Sequence, residues 1–358
     1  MIIRENYGEE HIRELQAKSR RDPQLIERAL YALGLLEALT QTGMKFIFKG
    51  GSCLMLLLPR LMRLSTDIDI IVAPGTDVKE YIKKAAEIFP FVSYEEQVRV
   101  GKNNIEKRHF KFTYFSPVRQ RDFYILLDIL YEENHYTALE EKEIKNELLL
   151  TEGNNLIVRV PSVDCILGDK FTAFAPYTTG VPLRAKKELE VMKQFYDIGT
   201  LINEHKSFSH VLDTYKDVVT SEIGYRGLEI TARDVLEDTI AAAIVIGSRG
   251  KAGKDDYPLY VEGIRGVGTH IFAERFSGET ASYRAANLIY MAACLMAETP
   301  YEPIDSFKEF ANEQLSQADL KVLSKMRKAQ PMQYAYLVKA DRLLKECRKQ
   351  AGDYKSRM

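Results

Sequence analysis

A strand carrying two carboxylates, shortly downstream of a doubled glycine, limits what this chain can become. The stretch reads FKGGSCLMLLLPRLMRLSTDIDIIV, residues 48–72. In a strand, residues i and i+2 point to the same face. Asp67 and Asp69 therefore project together, while Ile68, Ile70 and Val72 face the other way. Two like charges this close repel, and each is costly to desolvate without a partner. A divalent cation removes both problems: Mg²⁺ is hard, prefers oxygen ligands, and commonly takes a few carboxylates together with substrate phosphates. Asp128 lies within FYILLDILY, a run apolar on both faces, as in a central strand. If that strand neighbours 67–72, three carboxylates converge. Three suffice to hold two ions about 3.5–4 Å apart, one activating an attacking oxygen and one stabilising a leaving oxygen.

An isolated Asp-x-Asp reads as solubilising charge at a strand end. The upstream turn changes that reading. FIFKGGS is a strand, then Gly50-Gly51, then a short helix opening at Ser52. Glycines allow a tight turn and close approach to a ligand. The N–H groups and dipole of a helix start favour an anion. Ser52 adds a hydroxyl donor, and Lys49 and Arg63 add positive charge. Fourteen residues separate Ser52 from Asp67, so a phosphate cradle stands beside a metal site, as a nucleoside triphosphate with Mg²⁺ requires. The chain has no GxxxxGK[ST] loop, no GxGxxG after a strand, and no protein-kinase motif set.

Composition narrows the setting. The chain has 358 residues, 46% of them apolar, enough for one large domain or two ordinary ones. Its formal net charge of −1 gives no global attraction to nucleic acid or membrane. Cys53, Cys165, Cys294 and Cys347 are far apart, with no metal-ligand spacing, and are expected to be reduced, mostly buried thiols of a cytoplasmic protein. The charged N-terminus does not read as a signal peptide, and CLMLLLPRLM is too short to span a bilayer.

The patterning predicts an α+β fold. Helices are expected over 9–20, 23–41 and 77–89, with Asp22 as N-cap and Pro23 at the first helical position of the second. Strands are expected in MKFIF, TDIDIIVAP, FVSYEEQVRV, IEKRHFKFTYF, DFYILLDILY and NLIVRVPS. From about residue 161 the periods become helical, including segments near 207–220, 231–246, 280–298, 304–315, 318–329 and 332–350. The expected division is a mixed-sheet core over 1–160 and a helical domain over 161–358. Residues 247–268 hold six glycines and read as a mobile loop. From Lys321 to the end there are eleven Lys and Arg against three Asp and Glu, which makes either a solvated basic face or a nucleic-acid surface.

These motifs resemble the AbiEii/AbiGii toxin family within the DNA polymerase β-like nucleotidyltransferase superfamily. The first family motif resembles KGGSCL (49–54) and the second RLSTDIDI (63–70). An acidic-Lys pair on a helix, then a later helix with R/K-x-x-Y-D, is matched by LGDKFTAF (167–174) and KQFYDIGTL (193–201). The resemblance covers about residues 45–205. The gap from Ser52 to Asp67 is slightly longer than usual for the superfamily, and arginine is sparser than usual around the later motifs.

The resemblance implies a nucleotidyltransferase domain followed by a helical domain that completes the active-site cleft. It assigns Gly50, Gly51 and Ser52 to the triphosphate, with Lys49 and Arg63 able to orient phosphates, and Asp67 and Asp69 to Mg²⁺. Asp128 is placed with the metal by the strand argument rather than by the motif. Lys170 and Asp197 are implied as catalytic residues, with Asp197 able to orient Lys170 or help deprotonate the acceptor, although Lys193 and Asp197 also read as an ordinary i,i+4 ion pair. The implied chemistry is transfer of a nucleoside monophosphate from an NTP to an acceptor hydroxyl. The implied acceptor is the 3′ end of tRNA or another RNA, and the implied setting is a toxin–antitoxin or phage-defence system with a cognate antitoxin. Nucleotidylation of a protein or an aminoglycoside-type molecule, or a catalytically silent NTP- or protein-binding module, stays open from the residues alone.

Overall fold

The structure is a computed structural model that describes residues 1–97 and 106–355. Residues 98–100 of one expected strand, Ile105 of the next, and Arg357 of the basic region lie outside the described residues. Seven strands are described: β1 (Ile47–Lys49), β2 (Asp67–Val72), β3 (Phe91–Gln97), β4 (Lys107–Ser116), β5 (Arg121–Tyr131), β6 (Leu139–Glu143) and β7 (Ile157–Pro161). The helices, in chain order, are α1 (Glu9–Ser19), α2 (Pro23–Gln41), α3 (Gly50–Leu57), α4 (Lys79–Ala86), α5 (Val163–Ala173) and α6 (Glu188–Glu204). They continue with α7 (Phe208–Arg226), α8 (Ala232–Gly247), α9 (Tyr257–His270), α10 (Gly278–Ala297), α11 (Met326–Ala329) and α12 (Pro331–Lys355). The fold is α+β, with a mixed sheet followed by a helical C-terminal region. Contacts divide the chain into two compact units, Met1–Ile166 with Thr269–Glu274, and Leu167–Gly268 with Arg275–Met358.

In the first unit the main sheet runs β1-β2-β5-β4-β3. The pair β2–β5 is parallel and the other neighbours are antiparallel. One face is closed: Ile68, Ile70, Phe110, Phe112, Tyr114, Ile125, Leu127 and Ile129 are all buried. Helix α2 is buried almost all round, starts where Asp22 accepts from the Gln24 N–H at 2.8 Å, and has Pro23 at its first position. Its Glu27 is a fully buried carboxylate that accepts from Tyr114 Oη at 2.9 Å, Ser116 Oγ at 2.8 Å and the Val118 N–H at 3.1 Å. Three donors compensate a charge that would otherwise be costly to bury. The period-2 alternation leaves the opposite face of β2, β4 and β5 half-exposed, and that face carries the acidic residues.

β6 and β7 form a separate antiparallel pair. β6 reads LEEKE, which neither alternates nor is apolar, so its strand character comes from pairing with β7 and was not legible locally.

In the second unit, α8 and α10 open with capping boxes at Thr231/Asp234 and Ser277/Thr280. Two expectations are corrected. The stretch expected as a glycine-rich loop over 247–268 instead contains most of α9. There Tyr260, Ile264 and Val267 recur at i, i+4 and i+7 and are buried. A β-carbon on Gly263 would lie 2.3 Å from the Glu188 carbonyl oxygen, so this glycine serves close backbone packing against α6. The helix expected over 304–315 is reduced to a 3₁₀ turn at Lys308–Phe310. Its backbone bonds elsewhere: the Ile304 N–H donates to Tyr336 Oη at 3.2 Å, and the Glu313 carbonyl accepts from Tyr334 Oη at 2.8 Å. The segment over 318–329 forms a 3₁₀ turn, Leu320–Leu323, and then α11. The four cysteines are free and buried. Among the described residues no helix is long and apolar enough to cross a membrane.

Candidate active site

Five residues line up across the whole main sheet. Lys49 on β1 is the register partner of Asp69 on β2, and Asp69 that of Asp128 on β5. Asp128 in turn faces His109 on β4, which faces Gln97 on β3. Asp67 is two residues before Asp69, so it shares the face. The parallel pairing of β2 with β5 therefore brings the two expected carboxylate positions side by side in the middle of the sheet.

Each acid has a partner. Asp128 Oδ1 is 2.7 Å from His109 Nδ1. Asp67 Oδ1 is 3.3 Å from Nη2 of Arg28, a residue of α2. Ser52 Oγ donates to the Asp67 backbone carbonyl, tying the start of α3 to the start of β2. Lys49 Nζ lies 5.5 Å from the Tyr136 ring centroid.

The glycine turn is fitted to the same acids. Gly50 has φ +78°, in the region that favours glycine, and a β-carbon there would lie 2.9 Å from Asp69 Cγ. A β-carbon on Gly51 would lie 2.5 Å from Arg63 Nη2. Arg63 itself is 5% exposed, donates to the Leu64 carbonyl at 3.3 Å, and forms a β-bridge with Ile271. Gly50 and Gly51 thus let the helix start approach Asp69 and the Arg63 guanidinium.

The donor chemistry suits a hard divalent cation. Asp67, Asp69 and Asp128 offer only carboxylate oxygens, and the missing β-carbon of Gly50 leaves backbone close to Asp69. Among the described residues no three acidic, histidine or cysteine side chains stand together as a complete ion cage. Mg²⁺ does not require one, because one or two carboxylates plus substrate phosphates suffice.

Lys170 and Asp197 belong to the second unit. Lys170 Nζ is 2.9 Å from Asp197 Oδ2 and 2.7 Å from Gln194 Oε1, and both members of the ion pair are buried. Asp197 is paired with Lys170 across two helices, the arrangement in which Asp197 orients Lys170.

Sequence reasoning missed His109 and Arg28. For His109 the signal was available: the alternation of HFKFTYF sends Phe110 and Phe112 inward and His109 and Lys111 outward, beside a strand already suspected of holding Asp128. Arg28 gives no such signal, because it reaches Asp67 through the packing of α2.

A family profile described as nucleotidyl transferase AbiEii toxin, Type IV TA system, matches residues 34–333. Among solved structures, JHP933 from Helicobacter pylori is 13% identical, aligned over 75% of this chain and 92% of that one, with a TM-score of 0.41. A candidate nucleotidyltransferase from H. pylori is also 13% identical, aligned over 75% of this chain and 95% of that one, with a TM-score of 0.43. No curated protein matches.

Proposed function

The chain belongs to the AbiEii nucleotidyltransferase toxin family, and from that premise we propose that it transfers a nucleoside monophosphate from an NTP to the 3′-hydroxyl of an RNA, with tRNA as the leading acceptor. A bond forms between the acceptor oxygen and the α-phosphorus, the bond from that phosphorus to the bridging oxygen breaks, and pyrophosphate leaves. The hydroxyl proton passes to a base or to water.

The observation that carries this reading is the register match of Asp69 with Asp128 beside the Gly50 turn. Asp67, Asp69 and Asp128 would hold Mg²⁺, which when bound neutralises triphosphate charge and lowers the pKa of the acceptor hydroxyl. Ser52 anchors the start of α3 to β2, so the backbone N–H groups of that helix start keep a fixed direction toward an anion. Lys49 and Arg63 supply positive charge for phosphate oxygens. Lys170, held by Asp197 and Gln194, is the cation that would stabilise charge building in the transition state. Most of this catalysis is positioning and electrostatics.

In a Type IV toxin–antitoxin setting a cognate antitoxin opposes this activity, and the protein acts in the cytoplasm, where its NTP and RNA are found. The test is incubation of the full chain with total RNA, Mg²⁺ and each NTP separately, followed by mapping of extended 3′ ends. Extension by wild type and none by a folded Asp69→Asn variant supports the reading. Label appearing only in added protein or aminoglycoside pools overturns the RNA acceptor, and NTP binding without transfer to any pool overturns the enzyme.

A further inference from the structure

The basic C-terminal region is not uniformly basic in effect, because some of its cations have carboxylate partners among the described residues and others, Lys345 and Lys349 of α12 among them, do not. On α12, Lys339 pairs with Glu302 at 2.9 Å, Arg342 pairs with Glu313, and Arg348 pairs with Glu237 at 2.6 Å and Asp319 at 2.9 Å. Another acid of α12, Asp341, accepts from the N–H groups of Ser316 and Gln317 and from Ser316 Oγ at 2.7 Å. These acids are therefore occupied. Lys321, Lys325, Arg327 and Lys328 are exposed, and among the described residues no carboxylate pairs with any of them.

The backbone segment that carries the four cations is anchored. The backbone from Asp319 through α11 is right-handed helical at the joints Ser324 and Lys325. Leu320, Leu323 and Met326 are buried and anchor the segment. Lys321 lies on the 3₁₀ turn, Lys325 at the joint and Lys328 on α11, and all three are on the solvent side of the segment. They line a cavity of about 740 Å³, together with Arg327, Ser324 and Gln314.

We propose that this cavity is a docking site for the phosphodiester backbone of single-stranded RNA, a site on the helical unit distinct from the residues that would bind the NTP. The proposal rests on the reading that the acceptor is RNA. Four cations round one cavity, without a carboxylate partner among the described residues, match a ligand whose charge repeats along a chain. An acidic protein is the poorer fit: Leu315 and Tyr334 also line the cavity but are buried, and protein interfaces are depleted in lysine, whereas four of the eight lining residues here are Lys or Arg.

The experiment measures binding of a fluorescein-labelled mixed-sequence RNA 12-mer to the full chain in EDTA without NTP, across a range of salt concentrations. The double variant Lys325→Gln/Lys328→Gln is compared with Lys83→Gln/Lys84→Gln, a charge-matched pair exposed on α4 of the first unit. We expect about fivefold weaker binding at low salt for the first pair and a salt slope shallower by about 1.4, at about 0.7 per lost single-strand contact. The α4 pair should behave as wild type. Equal loss in both pairs, or an unchanged slope, overturns the proposal. Displacement of the RNA by micromolar ATP, or equally tight binding of a polyglutamate peptide of the same charge, also overturns it, by assigning the cavity to a free nucleotide or an acidic protein. Because binding is read without metal or NTP, nucleotide transfer can fail while this site stands, and the site can fail while transfer to a small acceptor stands.

Discussion

Asp128 is not a solitary acid on the open face of the sheet: its Oδ1 lies 2.7 Å from Nδ1 of His109, its register partner on β4. A carboxylate that would share a cation with Asp69 is thereby held in one rotamer by a ring on its other side. Partners of this kind around metal-binding groups typically change metal affinity or activity by about 10–100-fold. His109→Ala should therefore weaken Mn²⁺ binding, measured by calorimetry with an unreactive NTP analogue, by about tenfold and lower transfer similarly. His109→Asn retains a hydrogen-bonding side chain and should recover part of both. Unchanged Mn²⁺ affinity in His109→Ala would remove Asp128 from the metal assignment.

Gly50 and Gly75 provide a matched pair. Both have φ near +78°, where a non-glycine residue costs about 1–2 kcal/mol. A β-carbon on Gly75 has nothing within 4 Å, whereas one on Gly50 would collide with the Asp69 carboxylate. Both Gly→Ala variants should lower the melting temperature by a few degrees. Only Gly50→Ala should also lose transfer, by at least about 100-fold. Full activity in Gly50→Ala would mean that the contact between the turn and Asp69 is packing alone.

How far the sequence carried depends on whether a signal was local. The Gly50 turn, the Asp67/Asp69 strand and the Asp22–Pro23 helix start are each written within a few residues, and all three appear in the structure as elements. That β5 is central was legible from its doubly apolar run. Its parallel pairing with β2 was a condition the residues alone could not meet, because register depends on distant chain. Glycine misled at α9, where Gly263 permits helix packing rather than a loop. Over 304–315 the side chains of Tyr334 and Tyr336 on α12 replace helical backbone bonds, and no window of local sequence contains them.

Burial makes a specific statement about Cys294. Desolvation pushes its thiol up to about 12, with the Tyr290 hydroxyl acting in the opposite direction. An acid whose folded pKa is raised stays protonated until higher pH, so at pH 8 only about one thiol in 10⁴ is thiolate. Native protein at pH 8 should therefore label at Cys294 orders of magnitude more slowly than unfolded protein, with peptide mapping reading each cysteine. Rapid native labelling at Cys294 would contradict the packing of α10.

The buried pair Lys170–Asp197 allows stability and catalysis to be separated. Each partner is nearly inaccessible, so removing one takes away the opposite charge that the other is buried against. Breaking such a pair typically costs about 3–5 kcal/mol, while replacing both partners with apolar residues of similar volume is often neutral or stabilising. Lys170→Met and Asp197→Leu should each lower the midpoint of urea unfolding. The double variant should recover most of that loss, because Gln194 Oε1 is then the one remaining group that had bonded Lys170 Nζ. If Lys170 acts on developing charge, the double variant stays inactive despite its restored stability. Restored transfer in the double variant would reduce the pair to a structural ion bridge and leave the chemistry to the row on the sheet.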